Sequence, residues 1–281
     1  MALLALAVPW LAAPGTAEAA GASCPSPQKV SAIADAETLV LAAPVEGTSL
    51  VRLAGITVAG AAFLSPAWAG RPAKPEAGGQ SVARAKSDPA AAAARRMVAG
   101  LTGDRLICLE VEQGGGADRY GRLPAQVHTD EGVWLQGSLL ARGLARVRPE
   151  PQGRRYIAEM LLIEEEARAA RRGLWRLPPN RVHSSDDVGR APPGLQIVQG
   201  RVLKAERRGD WWYLNFGADW RSDFTVTIGK QALPEFERAG AAPFSLEGRV
   251  VRVRGLLQRL NGPMIEVLIP EQIEVIKAAS G

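Results

Sequence analysis

The chain has very little cysteine and histidine. Its 281 residues include two cysteines, Cys24 and Cys108, and two histidines, His128 and His183. This excludes the common zinc frameworks that are built from cysteine and histidine within one chain. Any bound metal would therefore have to be held by oxygen ligands. The two cysteines could pair in an oxidising compartment, or they could remain unpaired small hydrophobic residues.

A stretch that could span a membrane is also missing. The apolar segment 2–20 is short and contains Pro9 and Pro14, which argues against a spanning helix. Its end, Ala17-Glu18-Ala19-Ala20, fits the cleavage site of a signal peptide, although no lysine or arginine precedes the apolar part. We therefore expect residues 1–20 to be a signal peptide and the mature protein to be exported, either periplasmic or secreted.

The remaining composition is that of a basic, globular protein. Lysine and arginine number 34 against 29 acidic residues, which gives a net charge of +5 and an isoelectric point near 9.5. This balance fits a polyanionic partner, but alone it bears mainly on solubility. A hydrophobic fraction of 47% is enough for a packed core, and the length allows one large domain or two ordinary ones. A shift to proline, serine and aspartate predicts a linker over residues 178–194.

Hydrophobic patterning predicts a mainly β protein with helices (α+β). The predicted strands before the linker are 30–33, 38–41, 50–56 and 106–111, and a long loop is expected over 59–92. Helices are expected from Pro89 to about Val98, from Asp130 to Gly143, and along the apolar stripe from Tyr156 to Leu174. After the linker the predicted strands are 197–205, 211–216, 224–228, 249–256, 265–267 and 273–276, with a short helix over 231–238.

A tight corner at 118–122 carries the most specific chemistry. Gly121 tolerates the backbone angles of a sharp turn, so Arg122 leaves the corner as a strand begins. Its guanidinium is a rigid, permanently charged fork that suits a phosphate group. The alternative is a surface arginine that simply pairs with Asp118.

Five segments in order make the chain similar to the thermonuclease family, the staphylococcal-nuclease-like domains. The matching segments are Asp35 to Leu41, Val51 to Ile56, Asp118 to Arg122, Leu135 to Val147 and Glu164 to Trp175. The resemblance covers about residues 27–177. It implies an OB-fold-type five-stranded barrel with three helices, a nucleic-acid substrate, calcium-dependent phosphodiester hydrolysis and a monomer.

The resemblance also implies roles for individual residues. Arg52 and Arg122 match the two arginines that stabilise negative charge on the phosphate. Glu37 matches the first metal carboxylate, where the family has aspartate, and Asp35 matches the first carboxylate of the same motif. An exported protein with this fold could join Cys24 to Cys108, which would tie the first strand to the strand before the Asp118 corner.

Two expected carboxylates are missing, however. The second metal carboxylate is replaced by Thr57 and the general base by Gly60, and Glu76 is the one nearby carboxylate that could substitute. Pro149 and Pro151 stand where some family members place aromatic residues. Loss of the general base alone should slow hydrolysis by about 10²–10⁴-fold. We therefore expect binding of nucleic acid or another phosphodiester, with calcium weak and hydrolysis weak or lost.

Two alternatives stay open. One is an active calcium-dependent nuclease with a relocated carboxylate, and the other is a non-catalytic scaffold of the cell envelope. Residues 195–281 resemble a second, smaller OB-like barrel, in which aromatic and basic residues occur together and could stack bases and hold phosphates. Alternatively, at least half of these aromatics face the barrel core. The candidates for nucleic-acid contact are Trp212 and Arg221 here and Arg119 and Tyr120 at the corner.

Overall fold

The structure is a computed structural model and describes residues 24, 26–58, 89–112, 116–192, 194–219 and 221–276. Several features that the sequence singled out lie outside this range. They are the expected signal peptide (1–20), Gly60 and Glu76.

The first half forms a closed five-stranded barrel. Its strands are β1 (Gln28–Ile33), β2 (Thr38–Val45), β3 (Thr48–Leu53), β5 (Leu106–Val111) and β6 (Arg122–Thr129). They close in the order β1-β2-β3-β6-β5, with β3 and β6 parallel and the other pairs antiparallel. Two short strands, β4 (Ile56–Val58) and β7 (Ala145–Val147), pair beside it. The sequence predicted one strand over 50–56, but the chain turns at Gly55, whose φ is +76°, and starts β4.

Three helices pack on this barrel, as the sequence predicted, although their bounds differ. They are α1 (Pro89–Thr102), α2 (Leu135–Ala141) and α3 (Ile157–Ala169). Helix α2 begins five residues later than expected because Thr129 and Val133 form a turn, in which the Thr129 hydroxyl accepts a hydrogen bond from the Val133 amide at 3.1 Å. Together the helices and strands bury one apolar core, which includes Leu39, Leu139 and Met160.

A disulfide joins Cys24 to Cys108, with Cα atoms 5.5 Å apart. It links the segment before β1 to strand β5. Strands β1 and β5 are themselves paired, with Gln28 opposite Ile107. The covalent bond therefore reinforces the closing seam of the barrel.

The second half forms a curled sheet around its own core. Its strands are β8 (His183–Ser184), β9 (Gly194–Arg201), β10 (Lys204–Arg208), β11 (Trp211–Asn215), β12 (Thr225–Gly229), β13 (Val250–Arg259), β14 (Pro263–Val267) and β15 (Ile273–Val275). A helix, α4 (Leu233–Arg238), lies between β12 and β13. Strands β10-β11-β12-β14-β13-β9 follow one path in which β12 and β14 are parallel. This is the strand order of the first barrel, which supports the OB-like interpretation of residues 195–281.

The predicted linker is packed against the second half. His183 and Ser184 extend the sheet by pairing in parallel with β9, and Val188 and Ala191 are buried in the second core. Proline, serine and aspartate predicted a linker, but the apolar side chains between them supply a buried surface.

Among the described residues, no helix is both long and apolar enough to cross a membrane.

Candidate functional site

The two arginines singled out by the sequence lie on neighbouring parallel strands. Arg52 is in β3 and Arg122 begins β6, and in the register of this pair Leu50 lies opposite Arg122 while Arg52 lies opposite Pro124. Arg52 is 7% exposed, so its charge is largely removed from water. A charge that is buried in this way needs partners.

Asp118 links both arginines. Its Oδ2 accepts hydrogen bonds from Arg122, with Nε at 3.0 Å and Nη2 at 2.9 Å, and it lies 3.7 Å from Nε of Arg52. Its Oδ1 accepts the backbone amides of Tyr120 and Arg122 at 2.9 and 3.0 Å. Burial raises the pKa of Asp118, but the hydrogen bonds from Arg122 and Tyr120 outweigh it, and the net pKa lies below the ordinary value. The Asp118–Arg122 pair that the sequence left as an alternative is therefore present, and it is part of the arginine cluster.

Glu150 is the second acidic partner of Arg52, and the sequence analysis did not identify it. Nη2 of Arg52 donates to its Oε2 at 2.7 Å, while Nη2 of Arg148 lies 3.0 Å from its Oε1. Burial lowers the pKa of Arg52, but the charge and hydrogen bond of Glu150 and the charges of Glu37 and Asp118 together outweigh it, and the net pKa is raised. Strand β7 brings Glu150 here, because it pairs with β4 and the Arg148 amide continues the pairing to Gly55 O at 2.8 Å. The contact spans 98 residues, so no local pattern could indicate it.

Glu37 is buried and already bound by the chain. Its Oε1 accepts the Thr57 hydroxyl at 2.9 Å and the Val58 amide at 2.5 Å. Burial raises the pKa of Glu37 above the ordinary value, and these hydrogen bonds and the charge of Arg148 reduce the increase without cancelling it. Asp35 accepts the Glu37 amide at 2.7 Å and so fixes the turn that precedes β2. Thr57 therefore donates to the Glu37 carboxylate. Thr57 itself stands at the position that the second metal carboxylate was expected to occupy.

These residues do not by themselves fit a calcium centre. Calcium takes about six to eight oxygen ligands, usually with several carboxylates among them. In the part of the chain that the structure describes, no three acidic, histidine or cysteine side chains are grouped so that they could hold a metal ion. Only Glu37 and Asp35 remain of the expected set, and each has an oxygen that accepts a backbone amide.

Tyr120 lies on the solvent side of the cluster. Its side chain is 42% exposed, and the guanidinium carbons of Arg119 and Arg122 lie 4.8 and 5.2 Å from its ring centroid. Both arginines therefore make cation–π contacts with an aromatic ring that is open to solvent. The sequence candidates Arg119, Tyr120 and Arg122 thus form one exposed edge of the site.

The candidates in the second half are not together. Trp212 lies at the start of β11, opposite Arg207 and Ile228, and is partly buried against the second core and Phe244. Arg221 lies in the turn that joins the other end of β11 to β12. Trp212 and Arg221 therefore do not form a single patch for one base and its phosphate. Trp211, which lies opposite Arg208, is exposed at the surface, as is Phe244.

Comparisons with known proteins agree with the barrel fold of the first half. Residues 75–177 match the sequence model of the family described as "Staphylococcal nuclease homologue". A stretch of 77 residues is 42% identical to "Endonuclease YncB" of Bacillus subtilis (strain 168). That stretch covers 27% of this chain and 36% of the relative, so the chain spans about a third of that protein's length.

The closed barrel and the family match together define the class of the first domain. The family match contains Arg122 and Glu150, while Glu37 and Arg52 lie before it on strands of the same closed barrel. The chain therefore contains a staphylococcal-nuclease-like domain, followed by an OB-like second half.

Proposed function

We propose that this protein binds nucleic acid or another phosphodiester through Arg52 and Arg122, and that its hydrolytic activity is weak or lost. The observation that carries the proposal is the placement of both guanidiniums on adjacent parallel strands around Asp118. Guanidinium groups held in this way match the oxygens of a phosphate. The name of the endonuclease relative supports a nucleic-acid ligand.

The test is binding of a labelled single-stranded oligonucleotide at several salt concentrations. We expect native protein to bind with a steep salt dependence, and Arg122→Ala to bind more weakly with a salt slope smaller by about one. Arg105→Ala is the matched control, because Arg105 is an exposed arginine paired with Glu131. Binding that ignores salt and is equal in all three proteins would instead favour the envelope scaffold.

Weak hydrolysis follows from the chemistry of the carboxylates. Glu37 is committed to Thr57 and Val58, so its carboxylate is not a ready acceptor for a proton from water. We expect weak calcium binding, measured by calorimetry with and without a nucleoside bisphosphate. Calcium-dependent release of nucleotides that Arg122→Ala abolishes would favour the alternative, an active nuclease with a relocated carboxylate.

We also propose that the mature protein works outside the cytoplasm as a monomer. The disulfide between Cys24 and Cys108 supports the location outside the cytoplasm, since such bonds persist in oxidising compartments. Cell fractionation and thiol labelling of the two cysteines test it, because a cytoplasmic protein would carry both thiols reduced. Light scattering of the purified protein tests the monomer.

A further inference from the structure

Glu150 binds the guanidinium groups of the arginine site as an anionic ligand would. Its two carboxylate oxygens lie 2.7 Å from Nη2 of Arg52 and 3.0 Å from Nη2 of Arg148, one on each. A phosphate group would present its oxygens to the same guanidinium donors. We propose that Glu150 is an internal anion that occupies this site and that an incoming phosphate must displace. The inference rests on the proposed function and adds a residue that limits affinity.

The charges of the site alternate along a chain. In order they are those of Arg122, Asp118, Arg52, Glu150 and Arg148, so three positive groups are joined by two negative ones. Removing either acid would leave a positive charge largely unpaired. A phosphate could take the place of either acid as far as charge alone is concerned.

The two acids differ in how firmly they are held. Asp118 also accepts two backbone amides, which fix its carboxylate within the corner. Among the described residues, Glu150 contacts only guanidinium groups. Its carboxylate can therefore leave without breaking a backbone turn, whereas that of Asp118 cannot.

Arg52 has one donor left over. Its Nη1 is buried and has no hydrogen-bond acceptor within the described ranges. A buried donor without an acceptor destabilises the protein. A ligand oxygen that accepts from Nη1 would therefore add binding free energy beyond that of replacing the Glu150 hydrogen bond with an equal one. A carboxylate offers two oxygens, and both of those of Glu150 are already engaged. A phosphate offers further oxygens and so could serve Nη1 as well.

The backbone on either side of Glu150 is stiff. Pro149 fixes its own φ, and Pro151 restricts Glu150 to extended conformations. Displacement therefore takes place by rotation of the Glu150 side chain. That side chain is 19% exposed, so it has an open route to solvent.

Calorimetric titration of the full chain with a nucleoside 3′,5′-bisphosphate tests the proposal. A site that its own carboxylate occupies nine-tenths of the time loses about tenfold in apparent affinity, so Glu150→Gln should bind about tenfold more tightly than native protein. Glu131→Gln is the matched control, since it removes one carboxylate from an exposed pair with Arg105 and should bind as native does.

The outcomes separate this inference from the proposed function. Equal or weaker binding by Glu150→Gln, with native protein still binding, would overturn the role of Glu150 and leave the phosphate site in place. No binding by native protein or by Glu150→Gln would overturn both. If Glu150→Gln does not fold, Glu150→Asp keeps the charge and shortens the reach by one methylene. It should then bind more tightly than native protein by a smaller factor, and unchanged binding would reject the inference.

Discussion

Asp118 and Glu37 both lie at the arginine cluster, yet their pKa values move in opposite directions. Asp118 gains more from its hydrogen bonds with Arg122 and Tyr120 than it loses by burial, and its pKa falls. Glu37 is so deeply buried that the hydrogen bonds from Thr57 and Val58 do not compensate, and its pKa rises. Each shift is a statement about how folding stability depends on pH.

For Asp118, stabilisation is lost in acid. Since its folded pKa lies below the ordinary value, the contribution is complete above that value and disappears as the pH falls through the folded pKa. We expect Asp118→Asn to lower the free energy of unfolding at neutral pH by about 1–3 kcal/mol. Urea unfolding from pH 7 down to acid should show the native and variant curves converging. A constant gap across this range would contradict the assignment.

For Glu37 the sign is reversed. Its folded pKa lies above the ordinary value, so the folded state holds the proton more tightly and stability falls as the pH rises through the folded pKa. Glu37→Gln keeps an oxygen for Thr57 and Val58 and removes this dependence. In thermal unfolding, the stability of Glu37→Gln relative to native protein should therefore increase as the pH rises from acid to neutral. Glu131→Gln, at an exposed site, should keep the native slope.

The site was only partly predictable at this scale. Arg52 and Arg122 could be found because the strand and corner motifs are local in sequence. Glu150 and Arg148 could not, since an acid between two prolines carries no sign of the strand pairing that brings it to Arg52. Trp212 and Arg221 looked adjacent because they are close in sequence, but a β-hairpin places them at opposite ends.

At the scale of elements, periodicity predicted most strands and the four helices of the described ranges but missed their ends. Helix α1 continues past the predicted end near Val98, through Gly100 to Thr102. Helix α3 ends at Ala169, and a separate 3₁₀ turn carries Leu174, whose apolar spacing had extended the predicted helix. Burial of an apolar side chain does not require that it belong to the neighbouring helix. Tertiary packing therefore set the bounds that patterning alone could not.

The disulfide gives a prediction at this scale. It closes a loop with a sequence separation of 84 and joins the segment before β1 to β5 at the seam of the barrel. Replacing both cysteines by serine should lower the free energy of unfolding by about 2–4 kcal/mol, because the unfolded chain regains the entropy of an open loop. Guanidinium unfolding of the double variant, compared with native protein with and without reductant, measures this. Unchanged stability would mean that the seam is held by strand pairing alone.

Across the whole molecule, charged side chains join the two halves. Arg254 of β13 donates to Glu164 of α3 at 2.7 Å and to Glu274 at 2.7 Å, and Glu164 also accepts the Val147 amide at 2.7 Å. The Arg254 and Glu164 side chains are 1% and 0% exposed. Further links are an Arg154 pair with Glu235 and Glu271, an Arg252–Glu165 pair, and the packing of Ile269 in the first core. The two halves therefore share buried surface and should unfold together.

Arg254→Met tests this coupling. Removing Arg254 takes away the nearest counter-charge of buried Glu164 and leaves it only Arg168, at 3.6 Å. This should cost up to about 3–5 kcal/mol and separate the unfolding of the two halves into two transitions by calorimetry. The double variant Glu164→Gln with Arg254→Met removes both charges, and it should recover much of the loss because no unpaired ion remains. Arg201→Met, on an exposed arginine that contacts only Gly248 O among the described residues, should keep a single transition. If Arg254→Met also unfolds in one step at the native midpoint, the buried pair does not couple the halves, and the coupling lies in the other links, the ion pairs of Arg154 and Arg252 and the packing of Ile269.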